Sequence, residues 1–157
     1  MAENPIDEKF LTELSELKVI GRYEIRRKLG QGASGVVYLG FDPYIKRNVA
    51  IKISRPTSNK ARDRFFVEAQ SAGRLNNPGM VAIFDVGAYN GFCYLTMEYV
   101  DGTTLEKQCE KKHLLSVSKA VEVIFSVCKA IDYVHRQGII HRDIKPSNVM
   151  VTHHDGE

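Results

Sequence analysis

The first hundred residues carry the period of strands and the next forty carry the period of a helix, and this change limits the folds open to the chain. Short runs rich in β-branched and aromatic residues stand at about 23–30, 36–41, 48–53, 80–87 and 92–97, each bounded by turn residues. One stretch interrupts them: residues 60–75 place Phe65, Ala69, Ala72 and Leu75 at helical spacing. Asn90-Gly91 separates the last two runs and is a strong two-residue hairpin signal. After Asp101-Gly102 the pattern turns helical. Thr103 and Glu106 form a capping box for a short helix. Ser116 can cap a longer one, in which Val117, Ala120, Val121, Ile124, Val127, Ile131 and Val134 keep a 3.6 period. Gly138 ends it as a C′ residue would. The expected architecture is α+β: a five-stranded antiparallel sheet covered by one helix, then a helical part. The helix over 117–137 reads as a plain core helix that presents the loop after it.

Composition excludes several classes. A chain of 157 residues buries a real core, as one domain or one and a half. Lys and Arg number 22 against 19 acidic residues, for a net charge of +3, so neither nucleic acid nor another polyanion is indicated as a partner. Lys60, Arg62 and Arg64 read as a solvated helix face. No apolar run is long enough to span a bilayer. The acidic start, with Glu3, Asp7 and Glu8, is unlike a signal peptide. Cys93, Cys109 and Cys128 are odd in number and lack metal spacing, which suits reduced packing residues in a cytosolic protein. His153-His154 lacks the further ligands a metal site needs. Residues 6–20 place Phe10, Leu11, Leu14 and Leu17 at helical spacing, for a short helix packed on the sheet or against another chain.

The densest chemistry lies in His141-Arg142-Asp143-Ile144-Lys145-Pro146-Ser147-Asn148. Asp143 can accept a proton from a hydroxyl. Lys145 can neutralise a phosphate near it. The Asn148 carbonyl oxygen suits a hard cation such as Mg²⁺. Pro146 stiffens the loop. The plain alternative is a solvated polar loop after a helix.

Upstream, Gly30-Gln31-Gly32-Ala33-Ser34-Gly35-Val36-Val37 joins two strand-like runs. A dinucleotide-binding loop would lead into a helix; this one leads into a strand. Its glycines let backbone N–H groups approach phosphates, or they simply build a hairpin. Val49-Ala50-Ile51-Lys52 is an apolar strand ending in a lysine, which is either a solvated edge charge or the partner of a carboxylate. Glu68 lies on the apolar stripe of the 60–75 helix. It is either paired with Lys52 or solvated at the stripe's edge.

From Tyr23 to its last residue, the chain resembles the first part of a eukaryotic-type serine/threonine protein kinase domain, of the kind also common in bacteria. Three motifs carry the resemblance, in order: the glycine-rich loop at 30–37, the lysine strand at 49–52 and the H-R-D-x-x-x-x-N loop at 141–148. Ile144 stands where leucine is usual. Lys145 favours the serine/threonine kind over the tyrosine kind. Residues 96–102 resemble the hinge, with Met97 as the gatekeeper.

The resemblance implies roles for these positions. ATP and Mg²⁺ would be the cofactors and a protein Ser/Thr hydroxyl the acceptor. Leu29, Gly30, Gly32 and Gly35 would cover the nucleotide, and Lys52, paired with Glu68, would hold its α- and β-phosphates. Backbone groups of Glu98 and Val100 would bind adenine between Val37, Ala50 and Met150. Asp143 would orient the acceptor hydroxyl, Lys145 would stabilise the transferring phosphoryl group and Asn148 would take a Mg²⁺. Arg142 would mark activation by phosphorylation of a downstream loop. The implied division is an N-terminal helical extension over 1–21 and an incomplete kinase domain over 22–157, with an N-lobe at 22–96, a hinge at 97–102 and a partial C-lobe from 103.

The end of the sequence generates its own expectation. Val149-Met150-Val151 reads as a strand and His154-Asp155-Gly156 as a hairpin turn, with no returning strand and no D-F-G aspartate after it. The chain therefore reads as a truncated product, a split domain or a gene fragment. Three functions stay open: an ATP-dependent kinase whose longer chain does the chemistry, a catalytically silent nucleotide-binding or regulatory piece, or a non-functional remnant.

Overall fold

A computed structural model of the chain describes residues 8–109 and 114–152. The acidic start through Asp7, the His153-His154 pair and the 154–156 turn lie outside the described residues. The chain divides into two compact units, Met1–Arg74 with Ala82–Tyr99, and Leu75–Val81 with Val100–Glu157.

The first unit is an antiparallel sheet with two helices. In chain order it holds α1 (Glu8–Glu16), β1 (Val19–Ile20), β2 (Tyr23–Gly32), β3 (Gly35–Asp42), β4 (Arg47–Ser54), α2 (Asn59–Ala72), β5 (Ile83–Tyr89) and β6 (Phe92–Glu98). The strand order is β1-β2-β3-β4-β6-β5. Six strands form the sheet rather than the five expected. The extra one, β1, folds back on β2 through a tight turn that pairs Ile20 with Tyr23. Gly21 makes that turn possible. Its φ is +57°, and a Cβ there would lie 2.6 Å from the Tyr94 hydroxyl. The expected Asn90-Gly91 hairpin is present, with φ of 47° and 81°, the left-handed pair a type I′ turn requires.

Strand periodicity gives the sheet two unlike faces. Val36, Val49, Ile51, Ile53, Phe92 and Tyr94 are buried on one face together with Ile20 and Tyr23. Phe10 and Leu14 of α1 close that face. The helix expected from residues 6–20 therefore packs on the sheet as part of its core. Asp42 is a buried anion at the end of β3. Burial alone would raise its pKa, but N–H groups of Tyr44 and Ile45 and the Arg22 guanidinium all donate to its carboxylate and hold it below the usual range.

The second unit holds β7 (Thr103–Thr104), α3 (Val117–Arg136) and β8 (Met150–Val151), with single 3₁₀ turns at Lys107–Cys109 and Pro146–Asn148. The Ser116 hydroxyl accepts from the Lys119 N–H and caps α3 as expected. Gly138, at φ +75°, ends it. Its N–H donates to His135 and that of Ile139 to Val134, the paired bonds of a Schellman motif. Residues 75–81 belong to this unit, which is why β5 starts at Ile83 and not at residue 80. The Asn76 N–H donates to the Tyr133 hydroxyl, and Gly79 lies against Ala130.

Three expectations about this unit need correction. Thr103 does not cap a helix. It pairs with Val151, and the Leu105 and Glu106 N–H groups donate to Val149 and Pro146. These bonds and the pairing with β8 hold Thr103–Thr104 as a strand followed by a turn, and a helical turn appears only from Lys107. For the same reason β8 does not lack a partner, because β7 supplies one. Finally, α3 is buried only toward its end, at Ala130 and Val134; Val117, Val121 and Ile124 on its first half are exposed.

Leu14 is 1% exposed and Val117 82% exposed, so their truncations should differ sharply. Leu14→Ala should cost about 3 kcal/mol of stability by urea titration, whereas Val117→Ala should change it by less than about 0.5 kcal/mol. Equal effects would contradict α1 as part of the core.

Candidate functional site

The face of the sheet opposite α1 collects most of the expected nucleotide residues. Register does this. Gly30 pairs with Val37, Val37 with Lys52 and Lys52 with Leu95. The neighbouring row runs Leu39, Ala50, Met97 and Ile83. Side chains in a cross-strand row share a face, as do those two residues apart. Val37, Ala50, Lys52 and Met97 therefore line one surface, with Gly30 at its edge. Leu95, which the sequence reading did not single out, stands in the lysine row. The period-2 step from Met97 was the signal for it.

The glycine loop is a strand–turn–strand flap, as expected. Gly32 pairs with Gly35 around Ala33-Ser34. Its glycines serve different ends. At Gly35, φ is +143° and a Cβ would sit 2.4 Å from the Ile53 carbonyl oxygen, so the fold itself demands glycine. At Gly30 and Gly32 a Cβ would meet nothing within 4 Å. The fold does not need their bareness, which keeps backbone accessible for a ligand. Leu29 occupies the bulge between Lys28 and Gly30 and is partly exposed.

Glu68 takes the solvated reading. It is exposed on α2 and makes no ion pair among the described residues. The buried residue of α2 is Ala69, and one residue's step around a helix turns Glu68 onto its flank. At Glu98 the N–H donates to the Ala82 carbonyl at 2.8 Å, and the carboxylate accepts from the Ala82 N–H at 3.3 Å. The backbone carbonyl is what Glu98 has left to offer a base.

The second unit holds Val100, Asp143, Lys145, Asn148 and Met150, and it gathers three of them. Lys145 Nζ lies 2.9 Å from Asp143 Oδ1. Asn148 Nδ2 donates to Asp143 Oδ2 at 2.7 Å and to the Asp143 carbonyl at 2.8 Å. The asparagine thus spends its amide nitrogen on the aspartate, which leaves its carbonyl oxygen as the group that could face a cation. The Asp143 N–H donates to His141 Nδ1 at 3.3 Å. Arg142 between them has φ of 63°, a costly conformation for a residue with a Cβ. The His141 contact and the Arg142 strain were not legible from residue identity. The Lys145 ammonium and then the Asn148 amide hold the Asp143 carboxyl below its ordinary pKa. It is a fixed, exposed anion at neutral pH. The loop is anchored at both ends, by the Schellman turn at Gly138 and by the pairing of β8 with β7. Val100 is half-buried, and Met150, which pairs with Thr104, keeps an exposed side chain.

The protein kinase domain family model matches residues 23–157. The chain is 39% identical over 139 residues to the serine/threonine-protein kinase PrkC of Bacillus subtilis, covering 87% of this chain and 22% of that protein. It is 40% identical over 140 residues to the serine/threonine-protein kinase PknB of Mycobacterium tuberculosis, covering 83% and 22%. Among solved structures, the kinase domain of Mycobacterium tuberculosis PknI superposes with a TM-score of 0.75 at 32% identity, over 85% of this chain and 56% of that one. The chain therefore spans about a fifth of the length of these curated relatives. With the glycine flap, the lysine strand and the Asp143 loop all formed within the matched region, this chain belongs to the protein kinase domain family.

Proposed function

We propose that the chain carries the nucleotide-reading and catalytic-loop parts of a serine/threonine protein kinase, which moves a phosphoryl group from Mg·ATP to a protein hydroxyl. The cross-strand row Gly30–Val37–Lys52 is the observation that carries this reading. It sets bare backbone, an apolar surface and a cation side by side, as a nucleoside triphosphate needs. Val37, Ala50 and Met97 would hold the base, with Leu29 and the Glu98 carbonyl also contributing to it. Gly30 and Gly32 would lie over the phosphates and Lys52 would bind them. ATP supplies the phosphoryl group, and Mg²⁺ neutralises charge on its oxygens.

The Asp143 loop supplies the acceptor side. A carboxylate with a depressed pKa is a weak base, so Asp143 would act mainly by orienting the hydroxyl and take its proton late. Lys145 would offset phosphoryl charge and Asn148 would ligate one Mg²⁺ through its carbonyl oxygen. We assign residues 22–96 to an N-lobe, 97–102 to a hinge and 103–157 to part of a C-lobe. We also place the protein in the cytoplasm. Cys93, Cys109 and Cys128 are free thiols, and no described helix is long and apolar enough to cross a membrane.

One observation favours a silent binder as the state of the piece itself. No Asp-Phe-Gly occurs in the 157 residues, so the second metal ligand implied by the resemblance is not supplied. Mg·ATP at one hundred times its dissociation constant should stabilise the chain by about 2.7 kcal/mol, visible as a raised thermal midpoint. Lys52→Met should remove most of that rise. Labelled ATP with a generic basic protein should give no Lys52-dependent labelling. A wild type without a ligand-dependent rise would overturn nucleotide binding, and Lys52-dependent transfer would overturn silence.

The Asp143 cluster gives a pH test. Its folded pKa lies below the unfolded value of about 3.9. Any stability it adds is therefore present above that value and is lost as pH falls through the folded pKa. In Lys145→Met the largest cause of the depression is gone, so the carboxyl ¹³C titration midpoint of Asp143 should move upward. An unmoved midpoint would contradict the Lys145–Asp143 contact as its origin.

A further inference from the structure

The family match begins at Tyr23, yet the buried face of the sheet is closed by a helix that precedes it. Phe10 and Leu14 of α1 pack with Ile51 and Ile53 of β4, the residues on either side of Lys52. A second link joins α1 to the same strand. Arg55 directly follows β4, at the start of the 55–58 connection into α2, and pairs with Glu13 of α1. Its guanidinium carbon lies 5.3 Å from the Phe10 ring centre and 5.1 Å from that of Phe92 on β6. The two rings are themselves 5.8 Å apart. One side chain, rooted just past the end of the lysine strand, thus touches both α1 and the neighbouring strand β6. Glu13 and Arg55 side chains are 39% and 32% exposed, so their pair adds little to global stability. Its effect falls on local order in the connection, whose opening is separable from global unfolding.

We propose that α1 is a clamp on the β4–α2 connection, with Glu13 and Arg55 as positioning residues. Docked, it fixes the backbone of Lys52 and the start of α2, and so raises affinity for Mg·ATP. Undocked, it leaves the sheet folded but the lysine strand looser and the nucleotide more weakly held. The affinity part rests on the nucleotide reading of the Lys52 row; the clamp itself does not.

The test uses the full 157-residue chain, well below its melting temperature, so that every variant is folded. Calorimetric titration with Mg·ATP should show Glu13→Ala binding about three- to fivefold more weakly, the scale of a partly exposed ion pair. Arg55→Glu should bind more weakly still, and the charge-reversed double variant Glu13→Arg with Arg55→Glu should recover most of the loss. Lys119→Ala, which removes the exposed Lys119–Glu122 pair on α3, should bind as the wild type does. Hydrogen exchange of amides 50–58 should quicken in Glu13→Ala and slow again in the double variant. Unchanged exchange overturns the clamp whether or not nucleotide binds. Faster exchange with unchanged affinity overturns its link to the nucleotide. A wild type that binds no Mg·ATP overturns the proposed function, and the exchange result then judges the clamp alone.

Discussion

Strand β4 is the constraint on which the first unit depends. It lies between β3 and β6, and its side chains alternate without interruption. Val49, Ile51 and Ile53 are fully buried on the α1 side, each stabilising the fold by roughly 1.5–3 kcal/mol through lost apolar surface. Ala50 and Lys52 face the other way. A slip of one residue would exchange the two sets, putting an ammonium into the apolar core and three β-branched side chains outside it. Burying that charge alone costs several kcal/mol. The hydrophobic pattern therefore fixes the register, and the placement of Lys52 beside Val37 and Gly30 follows from the same choice.

The Asp143 loop is positioned by other means. Its polar side chains are exposed, so apolar burial cannot hold them. Backbone geometry does: the Schellman turn ends α3 at a set angle, and the β7–β8 pairing fixes the far end. Between them Asn148 bonds the aspartate twice. The strained Arg142 is the local cost of turning the chain so that His141 meets the Asp143 N–H.

What was legible in the sequence follows from this contrast. The strands, the type I′ turn at Asn90-Gly91 and both ends of α3 were readable, because each is set by local period or by one residue's conformational preference. The face shared by Val37, Ala50 and Lys52 was implicit in the period. The misses are tertiary. Thr103 and Glu106 look like a helix start, but backbone donors two and three residues past Thr103 found acceptors at Val149 and Pro146, some forty residues away. Glu68 lies three residues from Phe65 and four from Ala72, which put it on the apolar stripe by spacing alone. Contact with the sheet at Ala69 then turned it outward. β1 is too short for any period to announce it.

The exposed Lys145–Asp143 pair looks at first like a stabilising contact, but its side chains are 53% and 61% accessible, and pairs of that kind contribute little to stability. Its consequence is electrostatic. The ammonium holds the carboxyl below its ordinary pKa, so it deepens an ionisation that neutral pH brings in any case. The same ammonium leaves the loop with a positive charge beside the negative one, so the local field is less negative than the aspartate alone would make it. The two charges therefore matter more to what the loop can bind than to how firmly it folds. Positioning falls instead to Asn148 and the backbone.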